Sequence, residues 1–374
     1  MSLIATRLQD WRIKNPQFDR NMTRPLEYGA LDFFIGQTNS GNSIISPDLK
    51  ARAFESMGNT VQIPAIDFDG NVTVSNVRSC VIGDAENTSA LYTIVWATFA
   101  VGFTMVPSLY LNNEIGYDQD FSRKLEKVSR ALAIKLDQAA VAALDAKKTQ
   151  VFESLLYYTQ SGNVVQVPWG MRDGIFSDVN TMMRANAYPG QIHIIGNAGI
   201  DSMLRKLAQH GLYNDQNKRM EFEDKIIHFT NNINNAEGNF GTFFAVEDGN
   251  VGVLTRVDRE SLLRSRYGVH EWDQVRLPFV DLPVGSHYYI SVGDQSEIAG
   301  AASADMTCNG KEHYGFSVDV AFLVAYNSDE ENIANPIIKA AIGSSTAQNP
   351  LAAPVYVTNG ESDPVYTQAV QADQ

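Results

Sequence analysis

The sequence predicts an α+β protein, and three observations predict it. Between Glu86 and Glu114 lie 27 residues without one Asp, Glu, Lys, Arg or His, rich in β-branched and aromatic side chains, which is the composition of extended structure. From about Asp120 to Lys148 apolar residues recur at spacings of 4, 3, 4, 4, 3 and 4, the period of one helix face. Short helical and strand patterns then alternate as far as residue 254, and a strand pattern returns at 316–326.

Residues 1–30 carry five bases against three acids. Leu3, Arg7, Leu8 and Trp11 share a short helical face, after which Pro16, Pro25 and Gly29 break regularity, so the segment is expected to be an arm. Met1 to Asp10 lacks a basic start followed by an apolar run, so no signal peptide is expected. Val61, Ile63, Val72 and Val74 flank an Asp69-Gly70-Asn71 turn, which predicts a β-hairpin.

The uncharged run that follows is long enough to raise a membrane helix over Tyr92–Leu111. Thr93, Thr98, Thr104, Gly102 and Pro107 within it, and acidic flanks at Asp84, Glu86, Glu114 and Asp118, favour extended chain lying against protein on both faces.

Phe121, Leu125, Val128, Leu132, Leu136, Ala139 and Ala143 form the stripe of the long helix. At 1.5 Å per residue it spans about 43 Å and needs a broad surface to lie across. Asp118 and Asp120 at its start and Lys147 and Lys148 at its end suit the helix dipole.

Beyond it the pattern predicts a helix at 175–187, a strand at 192–195 and a helix at 198–210 with Asn197 as cap and Ile200, Met203, Leu204 and Leu207 inward. A strand at 225–230 and a hairpin at 243–254 around Asp248-Gly249 complete it. From Gly343 onward there is no Lys or Arg, and Pro350, Pro354 and Pro364 stand among Ala, Ser and Thr, so an extended or disordered tail is expected.

The chain has 374 residues and a mass of 41.2 kDa, enough for two or three modules. Its net charge of −14 and pI near 4.9 oppose binding of nucleic acid or anionic lipid through the bulk surface. Only 19% of residues are charged, below the usual value of about 25%, which suggests that much surface meets other protein. Cys80 and Cys308 are too far apart in sequence for a metal cluster or disulfide framework, and a reducing compartment is the default.

No constellation for catalysis emerges. The six histidines, His193, His210, His228, His270, His287 and His313, have no i, i+4 pair, and His193 is expected to be a packed core residue. GxSxG, GxxxxGK[ST] and GxGxxG are absent. Asp67, Asp69 and Asn71 begin like a calcium loop, but Gly70 is misplaced and the terminal Glu is missing. Asp329, Glu330 and Glu331 fit a solvated turn. Arg256, Arg259, Arg264, Arg266 and Arg276 lie near Tyr267 and Trp272 like a nucleic-acid patch, yet Asp258, Glu260, Glu271 and Asp273 reduce its charge to +1. An ion-pair network within or between subunits is the expectation. No cofactor and no metal site is expected.

The order of elements resembles the major capsid proteins of tailed bacteriophages. The resemblance rests on the helix Phe121–Leu144, on Asn186-Ala-Tyr-Pro-Gly190 and the strand after it, and on Ala325-Tyr-Asn-Ser-Asp329 with Asn335-Pro-Ile-Ile338. It extends over about residues 20–342. It implies an N-terminal arm at 1–40, then the start of the peripheral domain at 41–118 with an extended loop at about 57–107. It further implies the spine helix at 119–150, an axial domain at 151–290, returning strands at 291–342 and the tail at 343–374. The implied function is a structural, non-enzymatic one: pentamers and hexamers of an icosahedral or prolate head enclosing double-stranded DNA.

The implied partners are further copies of the chain, a separate scaffolding protein, a portal and decoration proteins, with DNA held without sequence-specific contact and no membrane. The implied location is the virion, and the host cytoplasm during assembly. Arg7, Trp11, Asp67, Asp69, Arg78, Asp84, Glu86 and Arg264 are the expected contacts between subunits. No lysine occurs between Lys50 and Lys124, so the lysine crosslink that some relatives make from the extended loop is not expected. A fused scaffolding region ahead of the arm is not expected either. Two alternatives accompany this reading: an encapsulin-like compartment shell, which shares the implied fold, and a hydrolase-type enzyme.

Overall fold

A computed structural model describes residues 3–14, 28–41, 43–45, 47–55, 60–66, 89–110, 116–148, 158–185, 188–207, 213–214, 219–222, 225–236, 239–292, 310–324, 336–343, 356–357 and 365–366. The architecture is α+β, with two large sheets and a long helix between them.

The chain opens with helices α1 (Leu3–Lys14), α2 (Gly29–Thr38) and α3 (Pro47–Glu55). Strands β1 (Thr60–Ile66), β2 (Ser89–Val95) and β3 (Ala97–Met105) lead to α4 (Tyr117–Lys147). Next come β4 (Thr159–Ser161), β5 (Val164–Val167), α5 (Ile175–Ala185), β6 (Ile192–Gly196) and α6 (Ala198–Leu207). After these follow β7 (Tyr213–Asn214), β8 (Arg219–Phe222), β9 (Lys225–Phe229), β10 (Asn239–Glu247), β11 (Val251–Arg256) and α7 (Arg259–Leu262). The last are β12 (Arg266–Tyr267), β13 (His270–Val275), β14 (Val284–Val292), β15 (Gly310–Val324), β16 (Ile337–Gly343), β17 (Tyr356–Val357) and β18 (Val365–Tyr366).

The first sheet has the order β4-β5-β16-β10-β6-β9-β8-β7, with parallel pairing at β5/β16 and β6/β9. Its central strands are buried on both faces, which is why β6, apart from His193, and most of β10 are apolar and inaccessible. Along β10, Phe243 and Ala245 join the core under α5 and α6, while Phe244 and Val246 join the core under α4. Asn197 caps α6 by accepting the Ile200 N–H, and Ile200, Met203 and Leu204 are buried, as the sequence predicts.

The second sheet runs β11-β15-β14-β13-β12, with β3 on the other side of β15. The inner face of β3 rests on α4: Phe103 meets Phe121 at 5.5 Å between ring centres, and Phe121 meets Tyr314 at 5.3 Å. At 31 residues, α4 is about 46 Å long. Its buried row is Phe121, Leu125, Ser129, Leu132, Ala133, Leu136, Asp137, Ala140 and Leu144. Val128, Ala139 and Ala143, assigned to the stripe from sequence, lie at its half-buried margin, and two polar residues stand in the deep row instead.

Four sequence expectations change. Gly29 opens α2, which is buried along most of its length, and does not break the chain. A Cβ there would lie 2.2 Å from the Phe229 carbonyl oxygen, so glycine lets this helix seat against β9. Where the uncharged run forms β3 it packs on one face only, because exposed positions there alternate with half-buried ones. β1 pairs with β2, Thr60 opposite Val95 and Ile66 opposite Ser89, so the described hairpin closes across residues 67–88. The turn at Asp69-Gly70-Asn71 lies outside the described residues, as do Val72 and Val74.

The fourth change is at Asp248-Gly249. The turn exists, with Gly249 at φ 84°, but β10 and β11 do not form a hairpin: each enters a different sheet. Gln37 fastens this corner, accepting the Gly249 N–H at 2.6 Å and donating to Asp248 at 2.6 Å. Apart from the short pair β17/β18, the expected tail beyond residue 343 lies outside the described residues. So do Asp329, Glu330 and Glu331. No helix among the described residues is long and apolar enough to cross a membrane.

Candidate functional site

Two features of the second sheet concentrate its chemistry, one on each face. On the inner face, α1 turns Ile4, Leu8 and Trp11 into the core and directs Arg7 at Glu312 on β15. The Arg7–Glu312 ion pair is 3.1 Å long, and Arg7 also donates to Tyr117 at 2.7 Å and to Tyr314. Tyr117, Tyr314 at 3.0 Å and Tyr288 at 3.3 Å all donate to the same carboxylate.

Burial alone would raise the Glu312 carboxyl, but the hydrogen bonds from Tyr117, Arg7 and Tyr314 outweigh it and hold the group below its ordinary value. Burial and the bond to Glu312 push the Tyr117 phenol up to about 12. Burial, with the neighbouring Glu312 charge, pushes Tyr288 up to about 12. These groups are satisfied and held away from neutral-pH titration, so the cluster fastens α1 to the sheet.

On the outer face, antiparallel register stacks aromatic rings across strands. Trp272 on β13 faces His287 on β14, their ring centres 4.5 Å apart and within 8° of parallel. Tyr289 on β14 faces His313 on β15 at 4.3 Å and 2°. His270 bridges the two rows: its Nδ1 lies 3.0 Å from His287 Nε2, and its ring stacks on Tyr289 at 4.9 Å. Gly102 and Gly315 sit in the row of Trp272 and His287, so the ladder has no bulky neighbour on that side. Burial, then the His270 and His313 charges, lower His287 below its ordinary value, while Asp258 opposes them.

At the edge of this face Tyr267 meets Trp272 edge-on at 5.8 Å. A tight turn with Gly268 at φ 59° carries Tyr267 and Val269 outward, 64% and 60% exposed.

The histidines that seem scattered in sequence are therefore neighbours in the fold. His193 is buried, as expected, but as part of a polar chain: its Nδ1 lies 3.1 Å from His228 Nε2 and its Nε2 lies 3.1 Å from Asp248. Among the described residues no group of three or more His, Cys, Asp or Glu side chains is placed to hold a metal ion. An open groove of about 780 Å³ between α2, α3 and the β13–β14 connection is lined by Lys50, Phe54, Thr255, Gln274, Arg276 and Asp281.

The arginine-rich stretch is an ion-pair network within the subunit. Arg256 pairs with Asp319 at 2.8 Å, Arg264 with Asp273 at 3.3 Å, Arg266 with Glu271 at 3.0 Å and Arg276 with Asp281 at 3.6 Å. Of the residues expected to contact another subunit, Arg7 and Trp11 are engaged inside their own chain, and Arg264 is exposed with its head on Asp273. Asp67, Asp69, Arg78, Asp84 and Glu86 lie outside the described residues. The sequence reading missed Glu312, Tyr314 and the ladder. The signal available for the ladder was His and aromatic residues at every second position of 270–272, 287–289 and 313.

No family model and no curated protein matches the chain. Among solved structures, the capsid of Ralstonia phage GP4 aligns over 87% of this chain and 93% of its own, with 7% identity and a TM-score of 0.47. A structure of Mycobacterium phage Bobi aligns over 86% and 93%, with 12% identity and a TM-score of 0.46. The capsid of cyanophage P-SCSP1u aligns over 78% and 85%, with 12% identity and a TM-score of 0.42.

Proposed function

We propose that this chain is a self-assembling shell subunit, the major capsid protein of a tailed-phage head, forming pentamers and hexamers around double-stranded DNA. The observation that carries the reading is the hairpin of β1 and β2. Among the described residues these strands pair with each other and with neither large sheet. A lone two-stranded hairpin is marginally stable in water, and its second strand continues an uncharged run, so its natural support is the surface of another copy. It occupies the segment where the resemblance puts the extended loop.

The long helix laid across a sheet and the low charged fraction support the same reading. The net charge of −14 suits a wall that encloses DNA without holding it. In this reading a scaffolding protein, a portal and decoration proteins are the further partners, the mature protein resides in the virion, and assembly takes place in the host cytoplasm.

The test is to express the chain with and without its scaffold and to image the products. Closed shells or capsomers are expected; a monomer under every condition overturns the reading. DNA and a portal in native particles are expected, whereas an enclosed enzyme marks a compartment shell.

A further inference from the structure

The β1–β2 hairpin and the second sheet are joined through a single residue. β2 ends at Val95, paired with Thr60, and β3 begins at Ala97, paired with Val320, so Trp96 between them belongs to neither ladder. A position that no ladder holds is where an extended ribbon bends most readily. The side chain opposes this: Trp96 is only 9% exposed, while Val95 before it is 70% exposed and Ala97 after it is exposed.

Strand register explains how the indole is held. With Ala97 opposite Val320, Trp96 comes level with Ala321, which faces Leu254 on β11. These three share an apolar cluster with Ile45 and with Leu49 and Ala53 of α3. Thr98, Asp319 and Arg256 form a second row across β3, β15 and β11. Thr98 donates to Asp319 at 2.6 Å, Arg256 pairs with it at 2.8 Å, and the guanidinium lies 4.7 Å from the centre of the Trp96 ring. Arg256 is itself buried, and a cation over an indole face gains strength when water is excluded. The indole Nε1 has no hydrogen-bond partner among the described residues, so shape and the stacked cation hold the ring, and no directional bond does.

We infer that Trp96 is a positioning residue: its indole, pressed under Arg256 and against α3, β11 and β15, fixes the angle at which the β1–β2 hairpin leaves the second sheet. The inference rests on the shell-subunit reading for what the hairpin meets, and adds what aims it. A ribbon attached at one end gains from a fixed root, because an arm already pointed at its contact loses less freedom when it docks on another copy.

The test reads the angle and the assembly separately. In the full chain carrying Cys80→Ser and Cys308→Ser, spin labels at Ala65→Cys on the hairpin and Lys127→Cys on α4 report the spread of hairpin positions by pulsed electron resonance. A control pair within the body uses Lys127→Cys with Leu263→Cys. Trp96→Ala is expected to widen the hairpin distribution and to slow assembly with scaffold by about tenfold or more, with the control pair and the far-ultraviolet circular dichroism unchanged. Trp96→Phe keeps a ring beneath Arg256 and forfeits no hydrogen bond, so it is expected to restore both readings. If Trp96→Ala does not fold, Arg256→Lys takes its place: it keeps the charge, loses the flat stacking head, and is expected to widen the hairpin pair alone.

An unchanged hairpin distribution in the folded variant overturns the positioning role, and so does widening of both pairs, which marks a loosened body. A widened hairpin with assembly at the parent rate overturns it too, since the angle then does not govern docking. In each of these cases the shell reading stands if the parent assembles. A parent chain that forms neither shells nor capsomers overturns the shell reading, and widening of the hairpin pair alone then still supports Trp96 as the root of the hairpin.

Discussion

The carboxylate of Asp137, fully buried in the deep row of α4, accepts the backbone N–H of Leu31 in the first turn of α2 at 2.9 Å. Thr230 donates to the same group, as does Asn232 at 2.7 Å. One side chain thus joins the long helix, the helix that enters the core behind Gly29 and the end of β9, and it satisfies an N–H that α2 leaves unpaired at its start.

Replacing Asp137 by Ala should leave these donors buried without an acceptor and destabilise the subunit by about 3 kcal/mol, read from denaturant unfolding. Asp137→Asn should cost less, since its amide oxygen can still accept from Leu31. Burial raises the Asp137 pKa, and the bonds from Asn232, Thr230 and Leu31 do not fully offset it. The folded state therefore binds a proton that the unfolded state has released, so this group's contribution falls as pH rises from the ordinary Asp range through the raised value. The Asn variant should lack that component of the pH profile.

Glu312 should give the opposite sign. Its folded pKa is depressed, so the stability it adds is present above its ordinary value and is lost as pH falls through the folded value. Arg7→Ala should cost roughly 2 to 3 kcal/mol by removing charged hydrogen bonds, and should expose α1 to proteolysis before the rest of the chain. A variant as stable as the parent, with α1 equally protected, would show that the cluster does not fasten the helix.

How much of this is legible in the sequence depends on how local the signal is. The helix from Tyr117 to Lys147 is legible because a repeat of four and three needs no partner to be read. Asp137 is illegible by the same rule, since a carboxylate between Leu136 and Gln138 looks like the margin of a solvent face until Leu31 and Thr230 are placed beside it. Arg7 is separated from Glu312 by 305 residues, and the rings of the ladder meet only through strand register. The turn at Asp248-Gly249 is read correctly as a turn and wrongly as a hairpin, because a turn signal does not say which sheet the next strand joins.

Gly29→Ala should prevent α2 from seating. The added methyl would fall 2.2 Å from the Phe229 carbonyl oxygen, which is backbone and cannot swing aside. A loss of roughly 1 to 3 kcal/mol is expected, seen as a lower unfolding midpoint with an unchanged denaturant slope.

Shortening the β1–β2 hairpin, by joining residue 59 to residue 96 through a short glycine-serine linker so that buried Trp96 is kept, should leave a folded subunit that no longer assembles. Retained near-ultraviolet circular dichroism together with a monomeric sedimentation coefficient is the expected pair of results. A melted core would show instead that the hairpin belongs to the subunit's own packing.

The corner between β10 and β11 is also where the chain passes from one large sheet to the other. Asp248 holds the Gln191 carbonyl at 2.8 Å and Ile44 holds that of Gly249 at 3.2 Å, both through their backbone N–H groups, and His193 and Gln37 grip the same three-residue passage. In mechanical terms this is a weld and not a hinge. A load applied to one sheet would reach the other through this short covalent passage, which Gln37 of α2 and His193 of β6 both hold.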